Sequence, residues 1–190
     1  MPARRFVLAS ASPARLRQLR DAGFDPEVVV SGVVEDVDDV LELARRKAQA
    51  VAETQPDALV LGCDSMLQLD GEVLGKPASP EDAVARWHRM RGRSGALTTG
   101  HVMVDTRSGS EAFALISTVV HFGRPTDEEV QAYVANGEPL AVAGAFTLDG
   151  RSAPFVEGVE GDPGNVLGVS LPAVRRLLAT LGTGVTELWS

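Results

Sequence analysis

The sequence predicts an α/β fold, a mixed twisted sheet flanked by helices and divided into two lobes with a central cleft. Three observations lead there. Short apolar runs rich in β-branched residues alternate with capped, amphipathic helical stretches. Turn signals such as Asp70-Gly71 add antiparallel strands to the alternating pattern. A chain of 190 residues, 44% hydrophobic and 23% charged, is long enough for one well-buried domain or for two lobes sharing a sheet.

Taken in order, Phe6-Val7-Leu8-Ala9 reads as a first strand that runs into the small turn Ser10-Ala11-Ser12. Ser12 has the character of an N-cap with Pro13 at the first helical position, and Gly23 stops the helix after Ala22. Arg15 falls in the first turn, where the helix dipole disfavours a cation. An anion resting on the helix amides would explain it; the alternative is a solvated arginine like Arg17 and Arg20. Glu27 to Val30 suggests a second strand. The acidic run Glu35, Asp36, Asp38, Asp39 follows, with Asp38-Asp39 suited to a helix start and Glu35 able to point at a cation. Val40 to Thr54 is an amphipathic helix whose apolar stripe is interrupted by Lys47. A lysine there must snorkel out or meet a fixed negative charge, and the preferred reading is a ligand for an anion.

Leu59 to Pro77 is the most informative stretch. Leu59-Val60-Leu61 reads as a short strand buried on both faces, Gly62 permits close approach, and Asp64 follows at the strand's carboxyl end, where ligands of open α/β sheets collect. The Asp70-Gly71 turn then returns a strand towards Gly75-Lys76-Pro77, bringing Lys76 back towards Asp64. The alternative is a solvated acid and a surface lysine. Ser79-Pro80-Glu81-Asp82 opens a helix through the core residue Trp87 to Gly92. Residues 96–104 and 111–122 form a long antiparallel pair, and Thr126 to Glu129 is a capping box. Residues 143–168 read as loops and short strands, and Leu171 to Leu181 is the closing helix.

Composition narrows the function. A net charge of −8 and pI near 4.9 argue against a nucleic acid polymer as partner. No segment approaches the roughly 20 apolar residues of a membrane helix, and the N-terminal apolar core is too short for a signal peptide, so a cytoplasmic, membrane-free protein is expected. Cys63, the single cysteine, excludes an internal disulfide and reads as a small core residue, with a nucleophilic role left open. His88, His101 and His121 lack zinc-site spacing. What stands out is cations in awkward settings (Arg15, Lys47, Lys76) beside acids at strand or loop ends (Glu35, Asp64). Together they suggest phosphate, a divalent metal and an activated water. No P-loop and no G-x-G-x-x-G are present.

The motifs L-A-S-A-S-P-A-R (Leu8 to Arg15), V-E-D around Glu35, L-A-R-R-K-A (Leu43 to Ala48), L-G-C-D-S (Leu61 to Ser65) and G-K-P (Gly75 to Pro77) occur in one order. G-R-S-G-A-L-T-T-G, E-E-V-Q-A-Y-V, G-E-P, A-G-A-F and N-V-L-G-V-S-L-P continue it over nearly the whole chain. In this the sequence resembles the Maf family of nucleoside triphosphate pyrophosphatases, relatives in fold of the ITPases. The resemblance implies a single Maf-like domain over residues 1–190 that commonly dimerises. It also implies cleavage of a nucleoside triphosphate between the α and β phosphates with Mg²⁺ or Mn²⁺. Asp64 matches the catalytic acid, Ser10, Arg15, Lys47 and Lys76 match phosphate-contacting positions, and Glu35 with Asp64 lies near the metal. The family's historical association with septum formation implies an alternative, a nucleotide-binding regulator of cell division without turnover.

Departures from the family pattern concern specificity. Ala14 stands where many relatives carry an arginine, and Ser65 replaces a frequent threonine at a substrate-side position. Asp149 replaces the glutamine of relatives that favour pyrimidines and resembles the branch that takes 7-methyl-GTP. A carboxylate accepts from guanine N1–H and N2–H₂, so purine-like or modified bases are candidates; the alternative is that Asp149-Gly150 is simply a turn.

Overall fold

The computed structural model describes residues 4–190. In chain order the elements are β1 (Arg5–Leu8), α1 (Pro13–Asp21), β2 (Glu27–Val28), α2 (Val40–Ala52), β3 (Ala58–Leu69), β4 (Glu72–Leu74), α3 (Pro80–Met90), β5 (Ser94–Asp105), β6 (Ser110–Phe122), α4 (Asp127–Ala135), β7 (Val156–Glu160), α5 (Pro163–Val166) and α6 (Leu171–Thr180). Among the described residues seven strands form one mixed sheet in the order β2-β1-β3-β5-β6-β7, with β4 paired to β3. β1 runs parallel to both β2 and β3, whereas β4 and β7 run antiparallel to β3 and β6. The expected α/β class and mixed sheet are therefore the observed ones.

The chain divides into two compact units. The first comprises the chain up to Asp64 with Thr99–Ile116 and Gly168–Ser190; the second comprises Ser65–Thr98 and Ser117–Leu167. β3, β5 and β6 contribute residues to both. In the first unit, alternation along β1 and β3 sends Phe6, Leu8, Leu59, Leu61 and Cys63 to one face, where they pack with Leu19, Val174 and Leu178. Val7 and Val60 point to the opposite face, with Val51 of α2. Both faces being covered explains why the sequence reads as an unbroken apolar run.

Close approach of α2 to the sheet is set by two glycines. A Cβ on Gly62 of β3 would sit 2.2 Å from the Ala44 carbonyl oxygen, and one on Gly100 of β5 would sit 2.4 Å from that of Val40. Only glycine leaves room for the helix backbone at these positions. In the second unit Trp87 is fully buried, donates from Nε1 to Ala145 O at 2.9 Å, and meets the rings of Phe122, Tyr133 and Phe155 edge-on. This bears out its assignment to the core.

Capping follows the sequence closely. Ser12, Asp39, Ser79, Thr126 and Ser170 each accept from a first-turn amide, and Thr126 with Glu129 completes the reciprocal capping box. The β3–β4 turn has Asp70 at φ 52° and Gly71 at φ 84°, the left-handed pair that a two-residue hairpin needs.

Two expectations are corrected. The strand at Glu27 covers only Glu27–Val28. Leu59–Leu61 is not a short strand ending before Asp64: β3 continues through Gly62 to Leu69, so Asp64 lies within it. Gly62 does allow the close approach read from the sequence, by α2, but without ending the strand. The β3–β4 hairpin heads the chain back along β3, as expected. Its ladder ends at Leu67↔Leu74, after which Gly75 O turns to accept from Arg86 Nη1 at 2.7 Å and Gly144 N at 3.0 Å.

Gly62→Ala should destabilise the fold by about 1–3 kcal/mol, the cost of forcing a methyl into a filled core, measured as a lower urea midpoint. A second expectation concerns acid. Burial alone would raise the Asp105 carboxyl, but hydrogen bonds from Arg4 and the Arg107 amide bring it down to about 2 from 3.8. A depressed folded pKa contributes stability that is fully present above the unfolded value and lost as pH falls through the folded one. Asp105 should thus contribute up to about 2 kcal/mol above pH 4 that disappears by pH 2. In Asp105→Asn, denaturation across that window should show a correspondingly flatter pH dependence.

Candidate functional site

The site in the first unit begins at the start of α1. Pro13 fixes the first helical φ and Ser12 caps the helix, accepting from the Arg15 amide at 3.4 Å. Arg15 is only 9% exposed. Its Nε donates to Gly168 O at 2.8 Å and its Nη1 to Ser10 Oγ at 3.1 Å, while Ser10 Oγ also accepts from the Ser12 amide at 3.2 Å. Arg17 and Arg20 are exposed, so Arg15 is not the solvated arginine of the alternative reading. Gly168 has φ 113°, and a Cβ there would lie 3.0 Å from Arg15 Nε. The C-terminal segment therefore holds the guanidinium through a position that suits glycine.

Lys47 supplies the second cation. Residues 60, 62 and 64 share one face of β3 by alternation, and that is the face on which α2 rests. Lys47 on α2 consequently meets Asp64, with Nζ 2.5 Å from Asp64 Oδ1 and 2.6 Å from Glu35 Oε1. The Lys47 and Asp64 side chains are 9% and 10% exposed, whereas that of Glu35 is 46% exposed. Of the two sequence readings of Lys47, it meets a fixed negative charge, and that charge is the protein's own. Two carboxylates on one ammonium leave the cluster one negative charge in excess, a state that a buried site holds only with ion pairing and hydrogen bonds.

Cys63 marks where these groups gather. Burial pushes its thiol up to about 11, and the charges of Arg15, Asp64 and Lys47 all act on it. Fully buried and protonated at neutral pH, it is a core residue rather than a nucleophile.

The remaining sequence candidates fall in the second unit. Ser65 follows Asp64 on β3 and is half-buried; Lys76 is exposed after β4. Asp149 is also exposed and accepts from Thr147 Oγ1 at 2.5 Å. The loop around it is closed by Ser152 Oγ, which accepts from Thr147 N at 2.8 Å and donates to Thr147 O at 2.9 Å. Glu138 anchors the same loop by accepting from the Arg151 amide at 3.0 Å. The Asp149-Gly150 turn is thus real, and its carboxylate helps to shape it.

Among the described residues no three His, Cys, Asp or Glu side chains gather into a metal cage. Glu35 and Asp64 do bring two hard oxygen donors to a single point, held there by one ammonium. That donor set fits Mg²⁺ or Mn²⁺, which commonly take one or two carboxylates and complete their shell with water and substrate phosphates. Sequence reasoning missed the glycine bed beneath α2 and the Gly168 carbonyl. Gly62 and Gly168 both lie within motifs already singled out, but glycine is silent about which neighbour it admits.

The first unit thus carries a buried lysine between two acids and a buried arginine at a helix start. The chain belongs to the Maf family, described as Maf-like protein, whose sequence model matches residues 5–181. It is similar to a protein of Streptomyces avermitilis named nucleoside triphosphate pyrophosphatase, with 62% identity covering 100% of this chain and 96% of that one. Proteins of the same name from Streptomyces coelicolor and Salinispora tropica are 61% and 56% identical. They align with 100% and 98% of this chain, and 96% and 88% of their own.

Arg15→Lys should lower stability by about 1–3 kcal/mol in chemical denaturation, because one ammonium cannot span both Gly168 O and Ser10 Oγ. An unaltered midpoint would show that the two bonds carry no weight.

Proposed function

We propose that this protein hydrolyses nucleoside triphosphates between the α and β phosphates, releasing a monophosphate and pyrophosphate. The observation that carries the reading is the Lys47–Asp64–Glu35 cluster, buried at Lys47 and Asp64, in a chain whose relatives are named for this activity. Asp64, whose Oδ1 accepts from Lys47 in the ligand-free structure, is the group that takes a proton from the attacking water. A divalent ion held by Glu35 and Asp64 supplies Lewis-acid polarisation and charge neutralisation when bound. Arg15, fixed by Ser10 and Gly168, and Lys47 offset the charge that grows on the departing pyrophosphate.

Ser65, Lys76 and Asp149 are further substrate-contact proposals, with Asp149 favouring a purine-like or modified base through its acceptor oxygens. The two units work as one Maf-like domain on free nucleotides in the cytoplasm. No described helix is long and apolar enough to cross a membrane.

The test is a panel of triphosphates, methylated bases included, assayed with Mg²⁺ or Mn²⁺ and product identification. Monophosphate and pyrophosphate are expected from at least one member; orthophosphate as the product, or binding without turnover, would reject the reading. Asp64→Asn should lower kcat by about 10²–10⁴-fold, the contribution of a positioned general base, while nucleotide affinity persists. A kcat equal to that of the unaltered chain would remove Asp64 from this role.

A further inference from the structure

We infer that Lys47 is a resident counter-ion that makes divalent-metal binding conditional on the triphosphate. The inference rests on the pyrophosphatase reading and adds an order to it. Lys47 Nζ lies 2.6 Å from Glu35 Oε1 and 2.5 Å from Asp64 Oδ1, occupying the point where these two oxygens would otherwise share a metal ion. An ammonium and a divalent cation cannot both sit there, since each needs the same lone pairs and the two repel.

The exchange has a definite charge balance. Lys47 neutralises one of the two carboxylates, so free metal must displace a buried ammonium from both of the acids that hold it. Withdrawing that ammonium from its carboxylates without a replacement partner is costly in a site that is about 90% covered. A triphosphate changes the balance. Its oxygens would accept Lys47 as it leaves Glu35 and Asp64, whose carboxylates would then be available to hold a divalent ion.

Lys47 is short of nothing it needs for this move. Its base is held on α2, whose backbone is seated on Gly62 and Gly100, so only the flexible butyl chain has to swing. Glu35, at 46% exposure, is the open side of the cluster. Lys47 therefore selects the complex over the free ion, as a specificity-determining residue as well as a phosphate contact.

The experiment is Mn²⁺ binding followed by electron paramagnetic resonance, which reads the ion and not turnover. Mn²⁺ alone should bind the wild-type chain at least tenfold more weakly than it binds Lys47→Met, in which the methionine fills similar space without charge. The gain should vanish in the double variant carrying Lys47→Met and Asp64→Asn. Adding tripolyphosphate should tighten Mn²⁺ on the wild-type protein more than on Lys47→Met. Folding of each variant is checked by circular dichroism, and Lys47→Gln serves if the methionine variant does not fold. Equal Mn²⁺ affinity in the wild type and a folded uncharged variant would overturn the inference. So would a wild-type chain that binds Mn²⁺ as tightly without tripolyphosphate as with it. Neither result touches the product assay, so failure of the counter-ion role and failure of the pyrophosphatase reading remain distinguishable.

Discussion

Contact between the backbone of α2 and the backbones of β3 and β5, made possible by Gly62 and Gly100, is the constraint on which the first unit depends. A helix normally stands off a sheet by the length of its side chains, near 10 Å. Here the Ala44 and Val40 carbonyls come down onto two glycines, with Ala44, Ala48 and Val102 filling the narrow remaining layer. Reach is what this closeness provides. A lysine on such a helix lies low enough for its ammonium to meet an acid projecting from the strand beneath, while the sheet and helix around it exclude solvent.

The buried charges follow from that layer. Asp64 faces α2 because it is two residues beyond Gly62, and strands alternate; Lys47 faces β3 because it is three residues beyond Ala44, and helices repeat nearly every fourth residue. Glu35 comes from the segment leading into α2 and completes the pairing from outside. On the other face of the sheet Arg15 is held by entirely local means at one end, through Ser10, and by a distant carbonyl at the other, through Gly168. Neither arrangement is a natural route to stability, since apolar residues would pack such positions at lower cost. Both keep charged groups inside the fold, held by the protein's own hydrogen-bonding partners.

Much of this was legible in the sequence because local rules govern it. Helix starts at Ser12, Asp39, Ser79, Thr126 and Ser170 were set by capping chemistry within four residues. The Asp70-Gly71 hairpin was set by backbone conformation alone. Lys47 stood out for interrupting an apolar stripe, and Arg15 for opposing a helix dipole. What escaped were relations that no local rule carries. Gly62 was read as a point of close approach, but nothing local names the helix it admits or carries the strand on past the apolar run at Leu61, which is why β3 was read too short and Asp64 as lying beyond it. Where Lys76 comes to lie is beyond the hairpin rule, which fixes register only while the ladder lasts, and this one is three pairs long. Gly168 lies 153 residues from Arg15, a separation at which only the folded chain reveals a hydrogen bond.

The placement of the aromatic residues has an optical consequence. The chain has two tryptophans: Trp87, with no exposure, in the second unit, and Trp189, 57% exposed, near the C-terminus in the first. Indole emission shifts to longer wavelength as the ring meets water, so the short-wavelength part of the intrinsic fluorescence belongs to the second unit. Loss of its packing registers as a red shift from Trp87. Trp189, already wetted and resting against Gly23, contributes a nearly constant background. The protein thus carries an unlabelled reporter for one unit that is largely blind to the other.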